Sequence, residues 1–275
     1  MHLSPLAQPL TTTPSALDDA VFDAARQQWA DKGYAIIEGC LPPECCEALA
    51  GEILAEYEQF AKARPDGIGG RVSGHLNCFP GSGVRTLVQA AERAGITRFV
   101  SELHGAALEL EHVGCNCNLP GSHYQTFHID SAWSKPCMIV NVILVETNFT
   151  NGAIELVAGV EQGRLPYWKF VTSRLSRRGV RHPMKPGDVL IRSSRIWHRG
   201  APNYSNKVRP MLALTYWPPR ERPTSIDYDQ FGGNITFLAN RFGTNLLGRT
   251  KEHIEAYLPW VSSTLSFVGS LTRWS

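Results

Sequence analysis

Four side chains in this sequence have the types and the spacing for metal and anion chemistry. His128 and Asp130 form a His-x-Asp pair, His198 lies in Ile196-Trp197-His198-Arg199-Gly200, and Arg209 follows eleven positions later. Two imidazoles and one carboxylate fill one face of an octahedral metal and leave room for other ligands, as a mononuclear non-haem Fe(II) site requires. A guanidinium at a fixed distance downstream can hold a carboxylate through two parallel hydrogen bonds, which is what a dicarboxylate cosubstrate needs. A His-x-Asp pair alone is weak, because it occurs often by chance. The distal histidine and the arginine sharpen it.

The elements that must position these groups follow from periodicity. Leu17, Ala20, Val21, Ala24, Ala25 and Trp29 recur at three- and four-residue steps, so residues 16–34 read as a helix with Asp18 and Asp19 at its start and Gly33 as its stop. Tyr34 to Glu38 reads as a short strand. Leu41-Pro42-Pro43-Glu44 opens a second helix running to about Ala63, with proline where its missing N–H is harmless. Residues 65–83, rich in Gly and Pro, read as a long loop, and helices follow over about 84–94 and 96–103. Beyond Ala107 short apolar runs alternate with turn residues: 107–114, 123–130, 137–146, 153–158, 188–193 and 210–217. Helices followed by many short strands predict a mainly β (α+β) domain, a sandwich or barrel with helices on one side. If 123–130 is a strand, His128 and Asp130 share a face. Lys185-Pro186-Gly187-Asp188 launches the next strand, whose return brings His198 beside the pair.

Composition narrows the classes. The chain has 275 residues, 43% hydrophobic and 19% charged, enough for one well-packed core, and no linker or repeat divides it. A formal net charge of +2 leaves no global nucleic-acid footprint. Seven cysteines, among them Cys45-Cys46 and Cys115-Asn116-Cys117, lack a second pair at zinc spacing and read as free thiols in a reducing compartment. Residues 1–15 read as a mobile tail without signal-peptide character, so a cytoplasmic enzyme is expected. Residues 256–272 carry no charged side chain but contain Pro259 and fall short of a membrane span. The C-terminal extension 219–275 is expected to pack on the fold or to form a homodimer.

The stretch from Trp197 to Pro210, with Asn151-Gly152-Ala153-Ile154-Glu155 and Lys185-Pro186-Gly187-Asp188, resembles the phytanoyl-CoA dioxygenase (PhyH) family over roughly residues 30 to 218. The resemblance implies a double-stranded β-helix (jelly roll, cupin-like) with an N-terminal helical layer. It implies Fe(II) held at one mouth of the barrel by His128, Asp130 and His198, and 2-oxoglutarate held at its distal carboxylate by Arg209. Gln125 is similar in position to a residue that helps bind this cosubstrate. The activity implied is a hydroxylation, or a related oxidation, of an unactivated C–H, consuming O2 and releasing succinate and CO2. Halogenating relatives replace the acidic ligand by a small residue; Asp130 is present. Where family members often read Pro-Gly-Ser-His, this chain has Val157-Ala158-Gly159-Val160-Glu161, and neither a CoA-binding segment nor a peroxisomal address is visible.

Substrate contacts are expected from two regions. The first is Gly69 to Asn77, with Arg71, His75 and Asn77 as candidates. The second is the basic insert 164–182, which carries Arg164, Lys169, Arg174, Arg177, Arg178, Arg181 and His182 and no acidic residue. As a lid it would favour an anionic small molecule. Trp133, close behind the His-x-Asp pair, is the candidate stacking wall. Two other readings remain open: a cupin-like enzyme using another metal, and a non-catalytic jelly-roll binding protein.

Overall fold

A computed structural model describes residues 17–63, 72–130, 136–159, 165–219, 226–238 and 246–272. The N-terminal layer consists of α1 (Asp19–Lys32), β1 (Tyr34–Ile37), α2 (Pro43–Ala63), α3 (Arg85–Arg93) and α4 (Ile96–His104), with β2 (His75–Pro80) between the second and third helices. Helix α1 starts where the Asp18 carboxylate accepts the Ala20 N–H at 3.3 Å. It stops at Gly33, left-handed at φ 79°, whose N–H reaches the Trp29 carbonyl. Pro43 opens α2, the position where proline removes no helical hydrogen bond.

The β region comprises β3 (Glu109–Asn118), β4 (Met138–Ile143), β5 (Glu155–Val157), β6 (Gly179–Arg181), β7 (Val189–Ser193), β8 (His198–Arg199), β9 (Arg209–Trp217) and β10 (Ile235–Leu238), with the short helix α5 (Tyr167–Thr172) before β6. Two antiparallel sheets form. The larger runs β1-β7-β4-β9-β3-β2-β10 and the smaller β6-β5-β8. Alternation decides the two faces of the larger sheet. Val113, Cys115, Val140, Ile191, Leu212, Leu214 and Tyr216 pack with Phe22, Leu49, Ile53 and Phe99 of the helices into one core. The opposite face carries Arg192, Arg209, Met211 and Ala213 toward a cavity. This is the double-stranded β-helix with a helical layer expected from the sequence.

Three elements differ from expectation. Residues 75–80, read as loop, form β2, paired with β3 (Asn77 opposite Asn116) and with β10. Residues 123–130, read as a strand, form no ladder. The Gln125 N–H reaches the Gly200 carbonyl and His128 exchanges two bonds with His198, so three steps on one side oppose two on the other. That one-residue slip breaks the period-two pairing. The extension forms two helices, α6 (Leu246–Tyr257) and α7 (Pro259–Thr272). They pack on the fold: the Glu252 carboxylate accepts the Val72 and Ser73 N–H groups at 3.0 Å, and the Ser270 hydroxyl accepts the Trp168 N–H at 3.0 Å. No helix among the described residues is long and apolar enough to cross a membrane.

Candidate metal and cosubstrate site

The turn before β7 sets the first constraint. Gly187 sits at φ +88°, and a Cβ there would lie 2.3 Å from the Leu41 carbonyl oxygen, so only glycine fits the Lys185-Pro186-Gly187-Asp188 turn. β7 then carries Arg192 into the site, and the following turn returns the chain through Ile196 to β8. There His198 pairs with Leu156 of β5 and with His128.

His128, Asp130 and His198 converge. Nε2 of His198 lies 3.6 Å and Nε2 of His128 3.8 Å from Asp130 Oδ1. Their three donor atoms fall within 4.8 Å of one another, the compass of a single ion. Nδ1 of His128 is 2.9 Å from the Thr126 carbonyl and Nδ1 of His198 is 3.0 Å from the Ile196 carbonyl. A carbonyl only accepts, so each Nδ1 carries the proton and each Nε2 keeps its lone pair for a ligand bond. Burial, with Arg192 close by, pushes His198 down to about 3 and keeps it neutral. For Asp130, burial opposes the ionised form, but Arg192 and the two imidazoles outweigh it and hold the carboxyl well below its ordinary value. Arg192 binds Asp130 Oδ2 at 2.7 Å and is itself held by Asn141 Oδ1 at 3.0 Å, leaving Oδ1 for the metal.

Arg209, the first residue of β9, is 3% exposed and opens onto the same cavity of about 430 Å3. Its Nη2 donates to the Gly152 carbonyl at 3.1 Å, while Nε and Nη1 are buried without a partner among the described residues. Burial lowers its pKa only to about 10, so it remains a cation at neutral pH. Gly152 takes φ +84°, and a Cβ there would come within 2.2 Å of Asn118 Nδ2 and 2.6 Å of the Ala201 carbonyl. The Asn151-Gly152 motif thus exists to bring a backbone carbonyl under the guanidinium. A buried cation with unused donors, one cavity away from three metal-ligand atoms, fits a small dicarboxylate bound to a metal.

The sequence-predicted residues divide. Gln125 lines the cavity, and its Oε1 accepts the Gly200 N–H at 2.8 Å. His75 and Asn77 line it as well, both on β2. Arg71, Trp133 and Arg164 lie outside the described residues. The rest of the basic insert contributes no lining residue: Lys169, Arg174, Arg177 and Arg178 are exposed, and Arg181 binds the Phe149 carbonyl and the Tyr124 hydroxyl. Sequence reasoning passed over Arg192 and Asn141, although an arginine within the apolar run Val-Leu-Ile-Arg was a signal, since such charges are rarely buried without a partner. It also missed Glu255 and Ala256 of α6, which reach the cavity from the far end of the chain. A second donor cluster, Cys78, Cys115 and Cys117, is buried on the opposite, helix-facing side of the larger sheet.

A jelly roll with a His-x-Asp and a distal His at its mouth, and a buried arginine beside them, defines a class. Residues 101–211 match the family model described as phytanoyl-CoA dioxygenase (PhyH), so the resemblance read from the motifs holds over the segment bearing all four groups. Solved structures agree in fold. The epimerase SnoN, in complex with Fe3+, alpha ketoglutarate and nogalamycin RO, is 19% identical over 77% of this chain and 90% of its own, with a TM-score of 0.56. The non-heme alpha ketoglutarate dependent carbocyclase SnoK from nogalamycin biosynthesis is 14% identical over 81% and 97%, with a TM-score of 0.57. AviO1 from Streptomyces viridochromogenes is 16% identical over 77% and 100%, with a TM-score of 0.56.

Proposed function

We propose that this chain is an Fe(II)- and 2-oxoglutarate-dependent dioxygenase that hydroxylates an unactivated C–H of a small molecule. The observation that carries the reading is Arg209, a buried cation with two nitrogens, Nε and Nη1, unpartnered among the described residues, in the cavity that also holds three convergent candidate ligand atoms. His128, Asp130 and His198 would hold the metal through Nε2, Oδ1 and Nε2. Arg209 would hold the far carboxylate of 2-oxoglutarate, and Gln125, braced on Gly200, would line the cosubstrate's path. Iron with this cosubstrate and O2 supplies the oxidant for hydrogen removal, with succinate and CO2 as coproducts. The protein's own contribution is to keep His198 neutral, to hold Nδ1 of His128 on the Thr126 carbonyl, to keep Asp130 ionised against Arg192, and to exclude water with Ile154 and Met211. Asp130 favours hydroxylation over halogenation, because it fills the position that a halide would need. Structures similar in fold include an epimerase and a carbocyclase, and hydroxylation is the outcome proposed for this chain.

Arg209 argues against a cupin-like enzyme of another chemistry and against a binding protein, since neither needs a carboxylate anchor beside the metal. The test is an anaerobic titration with Fe(II) and 2-oxoglutarate, followed by the visible band of the iron–cosubstrate complex. A band in the wild type that weakens in Arg209→Ala supports the reading. Bound iron without a band would overturn it.

A further inference from the structure

Beside the metal cavity lies a second, larger hollow of about 760 Å3. The two share Asn77, Asn116, Asp130, Arg192 and Ala213, so the second opens directly onto the candidate metal ligand Asp130. Its size is that of a pocket for a molecule well above a dicarboxylate.

The hollow's lining is uncharged in a specific way. Among the described residues its only ionised side chains are Asp130 and Arg192, and these are paired with each other at 2.7 Å. His112 is kept neutral by burial, which lowers its pKa. Besides the thiols of Cys78, Cys115 and Cys137, the remaining polar groups of the described lining are the amides of Asn77, Asn116 and Gln230 and the Thr215 hydroxyl. Asn116 donates to Asn77 Oδ1 at 2.8 Å across β2 and β3. An amide pair joined in this way still has the Asn77 NH2 as donor and Asn116 Oδ1 as acceptor, a match for a hydroxyl group or for two on adjacent carbons. Among the described residues the one cation of the lining, Arg192, is already engaged by Asp130, so an anion entering this hollow would be desolvated without an unengaged cation to receive it.

The rim is aromatic. Trp217 ends the face of β9 that also presents Ala213 and Thr215. Phe231 stands opposite in sequence terms, on the turn before β10, with its ring 5.9 Å from that of buried Phe79. Two features of Phe231 are unusual together: it is 51% exposed, and it takes φ +57°, a left-handed conformation that is uncommon and costly for a residue of this size. The floor between the aromatics and the amides is flat. Gly114 bears no side chain there, and a Cβ would come 3.0 Å from the His112 ring. The β-bulge between Leu110 and His112 sets that ring's place.

We propose that this hollow is the substrate subsite and that it selects an uncharged, hydroxyl-bearing ring compound, seated against Trp217 and Phe231 and hydrogen-bonded by Asn77 and Asn116. The inference rests on the oxygenase reading for its position beside the metal. It replaces the expectation of an anionic substrate, whose basis was an insert whose described residues line neither hollow.

The test is anaerobic calorimetry on the Fe(II)- and 2-oxoglutarate-loaded protein. The probes are 4-nitrophenyl glucoside, galactoside and mannoside, and the glucuronide and galacturonide that differ from the first two by a carboxylate. At least one neutral glycoside should bind, and its uronide about tenfold more weakly. Phe231→Gly relieves the left-handed strain, so its melting temperature should hold or rise while glycoside affinity falls about three- to tenfold. Trp217→Leu should weaken binding to a similar degree. The inference is overturned if no neutral glycoside binds, if a uronide binds as tightly as its neutral counterpart, or if both variants bind like the wild type. The iron–cosubstrate band is recorded on the same samples. A band without glycoside binding removes only the subsite, whereas binding without a band removes the cofactor reading and leaves the subsite.

Discussion

Replacing Arg209 by methionine should make the metal-free protein more stable and its cosubstrate binding much weaker, two effects of opposite sign from one change. The guanidinium is 3% exposed, keeps its charge, and among the described residues makes one hydrogen bond, to the Gly152 carbonyl, while two of its nitrogens have no partner there. A buried donor left unsatisfied costs about 1–3 kcal/mol. Methionine removes both the charge and the orphaned donors while filling a similar volume, so a gain of about 1–3 kcal/mol is expected for the protein without cosubstrate. With cosubstrate the sign reverses. Truncating one partner of a buried charge pair costs about 2–5 kcal/mol. At about 1.4 kcal/mol per tenfold, that is a loss of roughly 30- to 3,000-fold in affinity. Urea unfolding under anaerobic conditions reads both. Wild type should show a midpoint that rises when Fe(II) and 2-oxoglutarate are added; the variant should start higher and rise little with the cosubstrate. Lysine at this position keeps the charge as a point donor and should recover part of the binding. A variant that is less stable without cosubstrate and still gains the full shift with it would refute the assignment of Arg209 as a carboxylate anchor.

Other consequences follow from the same geometry. Gly152→Ala should lose about 2–3 kcal/mol in urea unfolding, because its Cβ would overlap Asn118 and the Ala201 carbonyl at a positive φ; wild-type stability would contradict the close approach. Arg192→Met removes the 2.7 Å partner of Asp130, and metal affinity by titration should fall about 10- to 100-fold; unchanged affinity would mean that Asp130 needs no brace. His182, hydrogen-bonded to the Tyr34 hydroxyl at 3.0 Å, is pushed down to about 4 by burial and by Lys32, from an ordinary value of 6.5. Below pH 6.5 the unfolded chain therefore takes up a proton that the folded chain refuses, so stability is full above that pH and falls toward pH 4. His198, with its pKa at about 3, acts in the same direction. The urea midpoint of metal-free protein should drop between pH 7 and 5, less steeply in His182→Gln; a constant midpoint would rule out both burial effects.

What could be read along the chain was whatever depends on near neighbours. Asp18 and Gly33 bound α1, and Pro43 opens α2, because caps act within a turn. The turn at Gly187 and the pairing of a returning His198 with the His-x-Asp pair were legible because glycine and proline set backbone angles locally. β2 was not, since its six residues lie behind a Gly- and Pro-rich run and its pairing partners are at Asn116 and Thr236. The supposed strand at 123–130 failed for a related reason. Its apolar residues suit a ladder, but the slip opposite Gly200 and His198 exists only once both segments are in place.

The candidate metal ligands and the candidate carboxylate anchor, then, were legible in the sequence itself: residue type and spacing single them out when chemistry demands two imidazoles, a carboxylate and a guanidinium in order. Their tuning belongs to the tertiary structure. Arg192 meets Asp130 across 62 positions and Arg209 meets Gly152 across 57, separations over which no local preference acts. The charge of the substrate hollow was likewise decided in three dimensions. The basic insert adjoins the ligand strands in sequence, yet among its described residues Lys169, Arg174, Arg177 and Arg178 are exposed, Arg181 stacks on Tyr124 and His182 bonds the Tyr34 hydroxyl. The amides and aromatics that line the hollow instead come from β2, β3, β9 and the turn before β10, brought together by sheet pairing alone.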